Sequence, residues 1–120
     1  MSLSISIYET DMSSGEPGLP TLIDGPAGLA GVERTRTMLW GSETVTALGA
    51  RFLPRLAREG LWISNAELDD FAKECEILLE HVQMLDTATP WDEDYIARCL
   101  RNFIDAVASA KQVGGGIVID

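Results

Sequence analysis

His81 is the only histidine in the chain, so a Ser-His-Asp or Cys-His group would have to be built around it. It falls on the flank of a helical segment, and no Gly-x-Ser-x-Gly elbow is present to offer a nucleophile. A partly exposed helix histidine is the simpler reading. Cys75 and Cys99 would bring the soft ligands to three at most, at a spacing that matches no zinc signature. Both lie on apolar stripes, where a free cysteine behaves as a small hydrophobe. Asp92-Glu93-Asp94 is rich in oxygen ligands, but it lacks the glycine turn and bidentate glutamate of a calcium loop. A negative first turn facing a helix dipole accounts for the same residues. Gly25-Pro26-Ala27-Gly28-Leu29-Ala30-Gly31 follows Leu22-Ile23-Asp24 as a phosphate loop would follow a strand. It is neither Gly-x-Gly-x-x-Gly nor a Walker sequence, and no lysine follows it. No cofactor or metal site is expected.

Arg51, Arg55 and Arg58 fall at i, i+4 and i+7 and form a short basic stripe if their segment is helical. Three guanidinium forks suit a phosphate or carboxylate. The simpler partner is the acidic stretch that follows, because residues 61–100 hold ten acidic side chains against two basic ones. Trp40, Trp62 and Trp91 stand at turns or just before helix starts, where tryptophan either closes the end of a core or serves as an exposed anchor.

The elements that must position these groups are legible in the spacing of apolar residues. Leu3, Ile5 and Ile7 alternate with polar residues, the period of a half-buried strand over 3–8. Residues 12–31 carry so many glycines and prolines that they read as a loop, with Thr21-Leu22-Ile23 a short extended piece at most. Residues 32–40 fit either a strand or an irregular approach to a helix. Ser42 is a good N-cap, and Val45, Leu48, Phe52 and Leu56 then share one helical face. Pro54 predicts a kink or break near 53–54, and Gly60 a stop.

Ser64-Asn65-Ala66-Glu67 matches the capping box, with Ile63 and Leu68 placed as its hydrophobic staple. Leu68, Phe71, Ala72, Cys75, Leu78, Leu79, Val82 and Leu85 continue as an apolar stripe, which predicts a helix over about 65–86. Thr89-Pro90 predicts the start of a further helix over about 90–112, with Ile96, Cys99, Leu100, Phe103, Val107 and Ala110 on its inner face. The short connection makes these two an antiparallel hairpin. Ile117-Val118-Ile119 reads as a strand that pairs with 3–8. The expected fold is therefore α+β and mainly α: three main helices with a central hairpin, and a small sheet from 3–8 and 117–119, within a single domain over 1–120.

The balance of 19 acidic against 9 basic residues gives a net charge of −10, the wrong sign for a phosphate backbone. No segment approaches the length of a membrane span, and the first residues do not read as a secretory signal. A cytoplasmic protein with both thiols reduced is expected, with no nucleic acid and no membrane among its partners. Small size, acidity, helical character and the lack of a catalytic cluster together resemble the profile of bacterial immunity and antitoxin-type binding proteins. That resemblance implies a protein-binding module, without catalytic activity, that presents an acidic helical face to a basic protein partner or to itself. The residues expected on that face are Glu67, Asp70, Glu74, Glu76 and Glu80. The alternative is a small enzyme, or a protein that binds an anion or metal, using Arg51, Arg55, His81 and the 92–94 run.

Overall fold

The computed structural model describes residues 2–9, 21–22 and 28–120. The fold is α+β and mainly helical, with an antiparallel sheet on one side of the helices. The alternation at the start of the chain forms β1 (Ser2–Glu9), and the final apolar run forms β5 (Gly116–Ile119). They pair as expected, and the pairing is antiparallel, with Ile5 opposite Ile119 and Ile7 opposite Ile117. Leu3, Ile5, Ile7, Ile117 and Ile119 therefore all point inward and are buried.

The sheet is wider than the sequence predicts. Leu61–Ile63 forms β4 on the far side of β5, and the other edge of β1 carries two strands end to end. These are β2 (Thr21–Leu22), inside the expected Gly/Pro-rich loop, and β3 (Gly28–Val32), which takes up the end of that loop and the residue after it. Residues 12–20 and 23–27 of that loop lie outside the described residues. Gly31 belongs to β3 at φ +124, a backbone state that side chains avoid, next to a register shift in the pairing at Leu3 and Ser4. Residues 32–40 are neither simple strand nor irregular. Val32 ends β3, and Arg36–Trp40 forms one wide helical turn that seats Leu39 and Trp40 in the core.

Ser42 caps α1 (Glu43–Ala47) through its side chain, as its residue type predicts. The helix ends earlier than expected. Gly49 turns the chain at φ +98, and a separate short turn follows over Leu53–Ala57. Pro54 starts that turn instead of breaking a helix, because a missing N–H costs nothing in a first turn.

The capping box forms: Glu67 Oε1 accepts from the Ser64 backbone N–H at 3.2 Å and from the Ser64 hydroxyl at 3.0 Å. The helix behind it is divided at His81 into α2 (Leu68–Glu80) and α3 (Val82–Ala88). No proline or glycine lies there. Instead the His81 ring nitrogen Nδ1 sits 2.8 Å from the Ile77 carbonyl, and the His81 N–H turns to the Leu78 carbonyl. A carbonyl can only accept, so Nδ1 carries the proton, and the ring occupies the acceptor that the backbone N–H would use in a continuous helix.

The last helix also starts later than Thr89-Pro90 predicts. Thr89 closes α3, its hydroxyl donating to the Leu85 carbonyl at 2.7 Å. Asp92 caps α4 (Glu93–Gln112) by accepting from the Tyr95 N–H at 2.8 Å. The antiparallel hairpin is pinned at both ends. Asp86 accepts from the Glu93 N–H at 3.0 Å at one end, and Lys111 pairs with Asp69 at the other. Buried residues of α4 face both the sheet and α2, so this helix is the centre of the core. Four rings run through that core edge to face, Trp40 on Phe103, Phe103 on Phe71 and Phe71 on Phe52, at centroid distances of 5.3, 5.6 and 5.7 Å. Each such contact adds roughly 0.5–1.5 kcal/mol beyond simple burial.

Candidate functional site

The acidic residues expected on one helical face do not all reach it. Glu74 is 8% exposed and its carboxylate turns inward. Its oxygens accept from the backbone N–H groups of Arg51 at 2.5 Å, Phe52 at 3.0 Å and Leu53 at 3.0 Å. These three donors lack helical acceptors because the chain turned at Gly49, so an anion from α2 supplies the acceptor. Glu74 is thus corrected from a partner-binding residue to an internal cap. Its position carried the signal, since it lies about 40° from Leu78 around the helix, on the flank of the apolar stripe. Glu67 is likewise engaged in the capping box at Ser64.

Asp70, Glu76 and Glu80 remain exposed on α2, around the partly exposed Ile77. Glu76 and Glu80 are one turn apart, so their like charges repel and cost an isolated helix roughly 0.2–0.5 kcal/mol. Among the described residues the ion pairs are Arg36 with Glu33 and Lys111 with Asp69, and neither involves these three carboxylates. The expected match between the arginine stripe and the acidic helix therefore takes no ion-paired form within the described residues. Arg55 lies over the Phe52 ring instead, 5.3 Å from its centroid.

The residues of the enzymatic alternative are dispersed. Arg51 lines a depression with Gly49, Phe52, Asp70, Lys73, Glu74 and Ile77, and Arg55 lines a different one with Thr46, Pro54 and Arg58. His81 and the 92–94 run line neither. Asp92 caps α4, and Glu93 and Asp94 fill its first turn. Among the described residues, no group of three or more His, Cys, Asp or Glu side chains is placed to hold a metal ion. No helix among them is long and apolar enough to cross a membrane. Of the phosphate-loop-like run, Gly28 through Gly31 are part of β3, and Gly25, Pro26 and Ala27 lie outside the described residues.

No family model, curated protein or solved structure matches the chain. The functional reading rests on its own side chains.

Two of those can be assigned chemically. Cys75 and Cys99 are buried free thiols. Burial pushes the Cys75 thiol well above its ordinary range, with the charges of Glu74 and Glu76 adding in the same direction. Burial raises Cys99 to about 11, against the opposing influence of Arg98 and Tyr95. The thiolate is the reactive form, so below that pH both should react slowly with a disulfide reagent in the folded protein. Labelling should reach the rate of a model thiol only in denaturant, and fast labelling of either cysteine at pH 8 without denaturant would contradict the burial.

The three tryptophans divide between the two roles foreseen. Trp40 is fully buried, its indole N–H donating to the Ala30 carbonyl at 2.9 Å, and Trp91 is half-buried against the core. Trp62 is 53% exposed on the outer face of the sheet.

Proposed function

We propose that this chain is a protein-binding module that offers the outer face of α2 to a basic partner. The observation that carries the reading is the pair Glu76 and Glu80, exposed one turn apart with no cation paired to them among the described residues. Asp70 extends the charged surface and Ile77 gives it an apolar contact point, an arrangement in keeping with interfaces that surround an apolar centre with a polar rim. The net charge of −10 favours steering of a positive partner over a long range. Glu67 and Glu74 are committed to capping, so the binding set reduces to Asp70, Glu76 and Glu80.

The test begins with capture of the partner from the native host on the immobilised chain. Its association rate is then measured with purified components at several salt concentrations. Association should slow severalfold as the Debye length falls from about 10 Å at 0.1 M toward about 3 Å at 1 M. Glu76→Lys with Glu80→Lys should reduce the rate about tenfold while the urea midpoint stays near wild type. An association rate indifferent to both salt and charge reversal would refute the reading.

A further inference from the structure

The outer face of the sheet carries a second set of side chains that neither the core nor the α2 face uses. Strand register places them in rows. Ser6, Val118 and Trp62 stand side by side across β1, β5 and β4. Beside them Asp120 is held against Ser4 by two backbone hydrogen bonds of 3.0 and 3.1 Å. Large and small residues alternate here, leaving a depression of about 280 Å³ lined by Ser4, Ser6, Trp62, Val118 and Asp120.

The tryptophan wall is fixed in advance. Tyr8 donates its hydroxyl proton to the Ile63 carbonyl at 3.1 Å, reaching across Gly116. A methyl group at Gly116 would fall 2.2 Å from that carbonyl oxygen and 2.4 Å from the Tyr8 hydroxyl, so the absence of a side chain there lets the tyrosine lie down. The Tyr8 ring then supports Trp62 at a centroid distance of 5.3 Å and 52° between planes. On the other wall the Asp120 carboxylate lies beside Gly60. None of the described positions in these rows is a lysine or arginine.

We propose that this depression binds an arginine side chain of a protein partner. An exposed indole face attracts a cation, and a planar guanidinium can lie flat on it. The same guanidinium presents a fork of N–H donors that suits the Asp120 carboxylate, with the Ser4 and Ser6 hydroxyls as further acceptors. Charge complementarity selects this occupant: the depression is lined by a carboxylate and an electron-rich ring and by no lysine or arginine, in a chain of strongly negative net charge. The site lies on different elements from α2 and stands or falls independently of the α2 reading.

The isotopically labelled full chain should be titrated with N-acetyl-arginine-N-methylamide and, separately, with its citrulline counterpart, which has the same shape but no charge. The arginine probe is expected to shift the Trp62 indole N–H and the amides of Ser6, Val118 and Asp120 in a saturable way. Citrulline should bind at least about tenfold more weakly, and Asp120→Asn should weaken the arginine probe about tenfold. Trp62→Leu should abolish binding with the amide spectrum of the helices unchanged, because this side chain is mostly exposed. The proposal is overturned if the sheet residues show no saturable shift, or if citrulline binds as well as arginine. Shifts confined to Asp70, Glu76 and Glu80 would also overturn it while leaving the acidic helix reading intact.

Discussion

Removing residues 117–120 is expected to abolish cooperative unfolding. β5 lies between β1 and β4, so its loss leaves both neighbours without their shared partner. Ile117 and Ile119 are fully buried, and burial of each contributes roughly 1.5–3 kcal/mol. Their removal would also uncover the part of α4 that packs against β5. Typical domains are stable by only about 5–15 kcal/mol, so these losses take a large share of that margin. Circular dichroism should show a broad, non-cooperative melt, with exposed apolar surface reported by dye binding. A sharp transition at the wild-type temperature would mean that β5 contributes little to the fold.

That strand was readable from sequence because alternation over 3–8 and the run at 117–119 both need a partner to bury one face. The capping box at Ser64 and Glu67 was readable for a related reason: its hydrogen bonds close within four residues, so no tertiary information is required. What escaped prediction depends on contacts distant in sequence. β4 is three residues long and sits directly before the capping box, and its strand character comes from pairing with residues more than fifty positions away. β3 lies in a glycine-rich run and is held extended by β1. The helix ended at Gly49 and not at Pro54, because the tertiary acceptor at Glu74 makes a fresh turn at Leu53 favourable. Thr89 and Asp92 are both competent caps by residue type, and only the placement of α3 decides that one closes a helix while the other opens the next. Composition showed the acidic surplus accurately, but it does not distinguish a carboxylate committed to backbone donors from one left for a partner.

Glu74→Ala should be among the most damaging single substitutions in the chain. The side chain is attached to α2, and its acceptors serve three consecutive N–H groups at 51–53, a segment 21 to 23 residues away. Truncation leaves those donors without an acceptor in a region where Phe52 and Leu53 are buried. An unsatisfied buried donor costs about 1–3 kcal/mol, so even with water reaching the partly open Arg51 end the total should be about 3–5 kcal/mol. Glu74→Gln keeps the shape and one carbonyl acceptor, but it places an amide nitrogen, itself a donor, among donors. It should therefore cost less than alanine and clearly more than nothing, roughly 1.5–3 kcal/mol as a charged acceptor becomes neutral. Glu76→Gln and Glu80→Gln on the exposed face supply the comparison, since surface changes of this kind fall within about 0.5 kcal/mol. Urea unfolding of the four variants would separate an internal cap from a surface charge. If Glu74→Ala unfolded at the same urea concentration as Glu76→Gln, the carboxylate would not be holding the 51–53 turn, and Glu74 would return to the set of residues available to a partner.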